Sequence, residues 1–539
     1  MNRGMKNALE IKEFLKADIK NLNHPNLFPN MSKAIDRIIY SIRQNERILI
    51  YGDYDVDGLT STALLFSILK EITSNIYYYI PNRFHEGYGL NKQAIHTAYK
   101  NKIKLIITVD CGISSIQEIK KAKEIGIDVI VTDHHIPQKN IPDAFAVINP
   151  KCDEQYPFKE LAGVGVSFKI AQALYGKLKK DQNDLNHFFD YIALGSIADS
   201  VPLIGENRIL IKYGMKILNQ TKKEGLKALI RECGLNKGEI STKDVNYDLV
   251  PRLNAAGRLD DPKLALELLL TESKSRAKYL AKKLSEINKN RRDIGVDILK
   301  EAKIQAQEQI SEKNNHVLVV SAEHWNQGVI GIIASRLVEE YNRPTIVISN
   351  KDGMGKGSGR STRNFHLYNA IEQCKEFLIN YGGHKYAAGI GIDINKISEF
   401  KVKLNSIYQD FISEKDLLPE LEIDASILLS EINFSIIKDI NALEPFGNGN
   451  PKPVFCSFKN TISHWRLVGG NNEHIKLKVM EKDKLFDGIG FKLAKIGKKV
   501  LSESKIVNLA FHIELNKWNG TENIQINVKD IKKPCLGGV

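Results

Sequence analysis

Paired cysteines, long apolar runs and low-complexity linkers are all missing from this chain of 539 residues. Its six cysteines (Cys111, Cys152, Cys233, Cys374, Cys456 and Cys535) are scattered without a C-x-x-C pair. That spacing argues against a thiolate zinc site and against a disulfide-dense secreted scaffold. A reducing cytoplasm is the expected location. No stretch of about 18 consecutive apolar residues occurs, and charges interrupt the apolar positions of the opening MNRGMKNALEIKEFLKADIK. Neither a signal peptide nor a membrane span is expected. No repeat of fixed period is evident.

Acidic residues are the scarcer charge: 64 Asp+Glu against 77 Lys+Arg leave a formal +13. That sign favours polyanionic partners such as nucleic acid, although a Lys-rich solvated surface gives the same balance. Hydrophobic residues at 42% and charged residues at 26% are ordinary for a folded chain,. The length exceeds what one hydrophobic core serves, so several packed units are expected.

From about residue 46 to 150, strand-length apolar runs (RILIY, NIYYYI, KLIITV, DVIVT, FAVIN) alternate with helical segments such as TSTALLFSILKEI. This is the pattern of a parallel sheet covered by helices, whose ligands bind at the carboxyl ends of the strands. Residues from about 151 to 270 read as mostly helical, ending in a loop-like NYDLVPRLNAAGRLDDP,. Leu280, Leu284, Ile287, Ile294, Ile298 and Ala302 then recur at helical spacing among many charges, which predicts a long connecting helix,. A second alternating block runs from HVLVVSAEHW through GVIGIIASRLVEEY, RPTIVIS and the glycine-dense loop DGMGKGSGRST to YGGHKYAAG, and predicts a smaller α/β domain. After the turn-rich LEPFGNGNPKPVF, short alternating strands (HIKLKVM, DGIGFKL, KIVNLAFHIEL, NIQINVKDI) predict a small β-barrel,.

The strongest local signal is DYDVDG, where Asp53, Asp55 and Asp57 follow RILIY and precede a helix. Carboxylates packed this closely repel one another and ionise most easily beside a cation, so a hard-metal site is the natural reading. The same letters open an EF-hand loop, but Leu64 stands where that loop needs Glu,. An exposed acidic turn is the plainer alternative. Asp110 directly follows KLIITV, and Asp133, His134 and His135 follow the next strand. Each alone reads as a helix cap or turn residue; together they point to one crevice. Asp199 in ALGSIADSVPL, at the end of a helix, is a further contribution or simply a terminal helix residue. Oxygen-rich ligation with imidazole suits Mn²⁺ or Mg²⁺. Two such ions about 3.5–4 Å apart, bridged by one carboxylate, are the means of phosphodiester hydrolysis.

DYDVDG, VDCG, DHH and SIAD stand in the order of the DHH phosphoesterases, while VPRLNAAGR, GSGRS, GGHKYAAG and LEPFGNGNPKPVF resemble the RecJ branch of that family. The resemblance spans the chain from about residue 40 onward. It implies an α/β fold with two α/β domains, a DHH parallel-sheet domain and a DHH-associated domain, joined by a long helix and followed by a C-terminal OB-type β-barrel. The implied division is an N-terminal helical segment (1–45), the DHH domain (46–271), the connecting helix (272–312), the DHH-associated domain (313–400), a helical linker (401–453) and the OB domain (454–539).

The resemblance further implies that Asp53, Asp55 and Asp110 hold one Mn²⁺ or Mg²⁺, and that Asp57, Asp110, His134 and Asp199 hold a second, with Asp110 as bridge. His135 then touches the scissile phosphate and Asp133 orients the histidines. Tyr51 stands where many relatives place a ligand histidine, and Asp53 takes that role instead. Ser358, Arg360, Arg258 and Arg83, with His384 of GGH nearby, form a pocket for a 5′-terminal phosphate. In the tail, Lys476, Lys478, Lys492, Lys495, Lys498 and Lys499 interleave with Trp465, Phe486 and Phe491. That mix either tracks a strand and stacks its bases or fills and solubilises a barrel.

The activity implied is metal-dependent degradation of single-stranded DNA from 5′ to 3′, releasing 5′ mononucleotides in DNA repair and recombination. A single-strand-binding protein and a helicase are the implied partners, and no membrane is involved. Two other classes fit parts of the pattern. A phosphodiesterase of short RNAs or cyclic dinucleotides would lack the long helix and the barrel, and a non-catalytic scaffold would have lost some of the acidic positions.

Overall fold

The computed structural model describes residues 3–87, 89–137, 140–236, 238–312, 315–411, 420–482, 484–518 and 521–534. The chain forms two compact units. One comprises residues 24–199 and 216–420; the other gathers 1–23, 200–215 and 421–539. Residues 535–539 of the expected barrel domain, Cys535 among them, lie outside the described residues. No helix among the described residues is long and apolar enough to cross a membrane.

The larger unit holds two five-stranded sheets. The first comprises β1 (Arg47–Gly52), β2 (Ile76–Tyr79), β3 (Ile103–Val109), β4 (Asp128–Thr132) and β5 (Ala146–Ile148), in the order β2-β1-β3-β4-β5 and parallel throughout. The runs RILIY and KLIITV are apolar because β1 and β3 are central and covered on both faces. Ile48, Ile50, Leu105, Ile106 and Ile107 are buried,. The helix Val56–Lys70 is buried along nearly its whole length, which explains why TSTALLFSILKEI carries so few charges.

The helix Lys274–Ser311 has 38 residues and spans about 57 Å at 1.5 Å per residue. It leads into the second sheet, made of β6 (Leu318–Ala322), β7 (Thr345–Lys351), β8 (Met354–Arg360), β9 (Leu378–Gly383) and β10 (Ala387–Asp393) in the order β6-β7-β8-β10-β9. Only β6 and β7 run parallel; the other pairings are antiparallel.

Two sequence expectations are corrected in this unit. The glycine-dense stretch 354–360 is the central strand β8 and not a loop. Its glycines lie where neighbours close in: a Cβ on Gly357 would stand 2.5 Å from Ile390 Cγ1, and one on Gly359 2.8 Å from Leu367 Cδ2,. NYDLVPRLNAAGRLDDP is helical through most of its length, as a π-turn Val245–Leu249 running into the helix Val250–Leu259. Pro251 stands in the first turn of that helix, where the π-turn passes into it.

In the smaller unit, β11 (Ala425–Ser426), β12 (Phe455–Val468), β13 (His474–Glu481), β14 (Lys484–Gly490), β15 (Ile506–Trp518) and β16 (Thr521–Lys532) form one sheet. The pairing of β12 with β15 closes its last five strands into a barrel. β12, β15 and β16 are longer than the short strands expected. Phe486 belongs to the barrel core, Trp465 packs partly buried against it, and Phe491 is exposed; burial therefore removes Phe486 from any base-stacking surface. The N-terminal segment joins this unit through Arg208, whose guanidinium donates to the carbonyls of Phe14 (2.7 Å) and Leu443 (2.8 Å).

Candidate active site

Register brings the acidic residues together. Gly52 pairs with Val109, and Val109 pairs with Thr132, so the next residue on each strand, Asp53, Asp110 and Asp133, emerges at one level of the carboxyl edge. The strand order reverses between β1 and β3, where an open parallel sheet offers its ligand crevice,. Asp55 caps the helix Val56–Lys70, accepting the N–H groups of Asp57 (3.0 Å) and Gly58 (3.2 Å). Asp57 lies in the first turn of that helix. Its two oxygens accept the N–H groups of Gly163 (2.6 Å) and Val164 (2.8 Å). Asp199 ends the helix Phe189–Ala198. Two glycines permit this crowding, since a Cβ on Gly163 would lie 2.6 Å from Asp110 Cβ and one on Gly195 2.8 Å from Asp57 Oδ1. Asp110 itself has a left-handed backbone with φ of 60°, an uncommon conformation for a non-glycine residue. Its N–H donates to Thr132 at 3.0 Å.

At the centre stands His134, 5% exposed. Its Nε2 lies 3.1 Å from Asp110 Oδ1, 3.7 Å from Asp199 Oδ2 and 3.8 Å from Asp57 Oδ2. Among the described residues, three sets of side chains bring potential ligand atoms within 4.8 Å of one another: Asp53, Asp55 and Asp110; Asp57, His134 and Asp199; and Asp110, His134 and His135.

Burial, followed by the charges of neighbouring carboxylates, pushes Asp53, Asp57 and Asp110 well above the ordinary carboxylate range. Asp199 is raised to about 7 by burial and by Asp55. Burial and the neighbouring His135 lower His134 to about 3, so the ring is neutral near pH 7. A hydrogen bond to the Leu161 backbone occupies the other ring nitrogen, which leaves Nε2 as a lone pair facing three carboxylate oxygens. Among the described residues Nε2 has no hydrogen-bond partner, so these short approaches to carboxylates are not ion pairs of a charged ring. A lone pair among carboxylates is repulsive unless a cation lies between them. Asp53 Oδ1 is likewise buried without a partner. This donor set of carboxylate oxygens and one neutral imidazole fits a hard divalent cation such as Mn²⁺ or Mg²⁺.

Asp133 is fully buried. Its Oδ1 accepts the N–H groups of His134 (2.7 Å) and His135 (3.1 Å), and its Oδ2 accepts that of Ile113 (2.9 Å). Burial opposes its charge, but the hydrogen bond with His135 and the histidine charges hold it below the ordinary range. Burial likewise opposes a charged His135. Its bond to Asp133, with Nδ1 2.8 Å from Oδ1, outweighs that and raises the imidazole to about 9.

Cations gather beside this cluster. Arg258 donates Nη1 to the Gly328 carbonyl at 3.1 Å. Arg360 donates Nη1 to Ser358 Oγ (3.2 Å) and to the Gly359 carbonyl (2.8 Å). The Arg83 guanidinium lies 5.3 Å from the centroid of the Tyr54 ring. Burial lowers Arg258 to about 10, and Arg83, Arg291 and Arg360 add to the effect. Arg360 is lowered by burial and by Arg83. Guanidiniums gathered this closely form a site for an anion. His384, which follows β9, is lowered by burial and then by His135 and Lys151.

The sequence reading passed over three contributors. Tyr54 hides between two of the acids, and Arg291 reads as one more charge on the long helix. The turn Asn326–Gly331 receives Arg258, and its only signal is the pair of glycines in NQGVIG at the start of the helix Ile330–Tyr341.

Comparison with known proteins agrees with this geometry. The DHH family N-terminal domain matches residues 47–196, the DHHA1 domain residues 314–410 and the RecJ OB domain residues 423–530. The single-stranded-DNA-specific exonuclease RecJ of Bacillus subtilis is 37% identical over 98% of this chain and 67% of its own length. That of Salmonella typhimurium is 34% identical over 98% of this chain and 94% of its own length. The crystal structure of Thermus thermophilus RecJ in complex with Mn²⁺ superposes with a TM-score of 0.84 at 29% identity, covering 98% of this chain and 75% of that one. The chain belongs to the RecJ family of single-stranded-DNA-specific exonucleases.

Proposed function

We propose that this chain degrades single-stranded DNA from its 5′ end, releasing 5′ mononucleotides, and that it acts in DNA repair and recombination. The observation that carries the reading is the position of His134 Nε2 within 3.8 Å of three carboxylates, beside a cluster of guanidiniums that suits a terminal phosphate. Asp53, Asp55 and Asp110 would hold one divalent ion, and Asp57, Asp110, His134 and Asp199 the other. Such ions supply a hydroxide nucleophile near neutral pH and neutralise charge on the phosphoryl oxygens.

The protein's own groups position the substrate. Arg83, Arg258, Arg360 and Ser358 grip the terminal phosphate, which fixes the next phosphodiester over the acidic cluster and so sets direction. His135, held at Nδ1 by Asp133, presents Nε2 to a non-bridging oxygen of the scissile phosphate. His384 completes the set of substrate-binding residues in this reading.

The six-segment division of the chain with boundaries at 45, 271, 312, 400 and 453 belongs to the same reading. So do a cytoplasmic location and the two protein partners, a single-strand-binding protein and a helicase. The free cysteines Cys111, Cys152, Cys233, Cys374 and Cys456 are compatible with a reducing compartment,.

The test is digestion of 5′-labelled and 3′-labelled single strands, with and without a 5′ phosphate, in Mn²⁺ or Mg²⁺. Early release of the 5′ label as mononucleotide is expected. Predominant loss from the 3′ end would overturn the polarity.

A further inference from the structure

We infer that Gly331 determines the specificity of the site for a 5′-phosphorylated end, because its missing side chain is what lets Ser358 and Arg360 hold their receiving geometry. This rests on the reading of Arg83, Arg258, Ser358 and Arg360 as the terminal-phosphate pocket.

Gly331 is the second residue of the helix Ile330–Tyr341 and faces β8. A Cβ built on it would lie 2.9 Å from Ser358 Oγ and 3.4 Å from Arg360 Nη2. The first distance is shorter than a methyl carbon and a hydroxyl oxygen tolerate, so one partner must move. The hydroxyl is the lighter one, but Ser358 Oγ accepts Arg360 Nη1 at 3.2 Å. Turning it aside breaks the bond that aligns the guanidinium. Arg360 then keeps only its bond to the Gly359 carbonyl.

The helix start is poorly placed to retreat instead. Asn326 Oδ1 accepts the Gly328 N–H at 2.8 Å, and the Asn326 carbonyl accepts the Val329 N–H at 3.0 Å. Val329, Ile330 and Ile333 are buried together with Trp325. On the far side, Gly295 of the long helix already brings its backbone to Val329, where an added Cβ would sit 3.5 Å from Cγ1. The turn also fixes Arg258 through the Gly328 carbonyl. One short segment, Asn326–Gly331, therefore braces two of the arginines, and an added methyl group is resolved at the pocket and not in the core. Gly331 acts through Ser358 and Arg360, as a positioning residue.

The test uses the full chain in Mn²⁺ with one oligonucleotide carrying either a 5′ phosphate or a 5′ hydroxyl. Gly331→Ala is expected to raise KM for the phosphorylated strand about tenfold, the scale of one charge-assisted hydrogen bond. KM for the hydroxyl strand and kcat stay unchanged. The unfolding temperature does not fall, since alanine favours a helix over glycine. Adding Gly331→Ala to Ser358→Ala costs little more, because both remove the same alignment.

If Gly331→Ala keeps the wild-type preference while Ser358→Ala and Arg360→Ala lose it, the inference is wrong and the pocket stands. An equal rise in KM on both strands also overturns it. If the wild type itself ignores the 5′ phosphate, the pocket reading fails first.

Discussion

Nδ1 of His135 lies 2.8 Å from Oδ1 of Asp133, a fully buried carboxylate that also accepts three backbone N–H groups. The ring is thereby fixed at Nδ1, at the mouth of the acidic crevice with 32% of its side chain exposed. This arrangement suits contact with substrate better than metal ligation.

His135→Ala is therefore expected to lower kcat about 100-fold, the lower end of what a positioned proton donor contributes. The Mn²⁺ concentration for half-maximal activity stays close to wild type. Steady-state rates across a Mn²⁺ titration separate the two, and a large shift in the Mn²⁺ midpoint would reassign His135 as a ligand.

Asp199 links metal, pH and stability. Its folded pKa of about 7 lies above the unfolded value of about 3.9, so the folded state prefers the protonated form. Its contribution to stability is then lost as pH rises from the unfolded value to the folded one, and stays lost above it. In chelator, Asp199→Asn is expected to gain stability relative to wild type between pH 5 and pH 8. Added Mn²⁺ reverses the order at pH 8, because only the wild type gains full binding energy. Thermal unfolding at the two pH values checks this; a wild type that outlasts the variant in chelator at pH 8 would refute it.

Tyr54 holds Arg83 by its ring face, 5.3 Å from centroid to guanidinium carbon. Tyr54→Phe keeps the face and is expected to behave as wild type. Tyr54→Leu should raise KM for 5′-phosphorylated strands about fivefold, within the range of a partly desolvated cation–π contact, and leave KM for 5′-hydroxyl strands alone. Equal behaviour of the two variants would remove the ring from the account.

Arg208 is 1% exposed, lies 3.8 Å from the centroid of the Phe14 ring and bonds the carbonyls of Phe14 and Leu443. Burial lowers it to about 10, so it stays charged near pH 7 and each bond is charge-assisted. Arg208→Met is expected to cost about 3 kcal/mol in the unfolding of the barrel unit, the scale of such bonds. Denaturant titration followed through barrel fluorescence measures it. An unchanged midpoint would mean that the N-terminal segment is held by other contacts.

Much of the larger unit's first sheet could be read from the chain because a buried parallel strand is a short, uninterrupted apolar run. Asp53, Asp110 and Asp133 each follow such a run directly, so sequence position already implied a shared edge. β8 escaped because its glycines answer to Ile390 and Leu367, residues distant in sequence whose approach no local pattern announces. The helical course of 250–259 escaped for a related reason, since Pro251 and the glycine of NAAGR read as loop punctuation until the first-turn position of the proline is known. Assembly of the barrel unit from three separate segments is long-range by nature, and Arg208 looks like any other arginine of a basic helix.

The central claim is that Asp110 is shared by both halves of the metal cluster. The most direct measurement is the rate of mononucleotide release from a 5′-phosphorylated single strand in Mn²⁺ by Asp110→Ala, with folding checked by thermal unfolding in chelator. The account expects a folded protein whose release is abolished at every Mn²⁺ concentration. Wild-type release by a folded Asp110→Ala would contradict it.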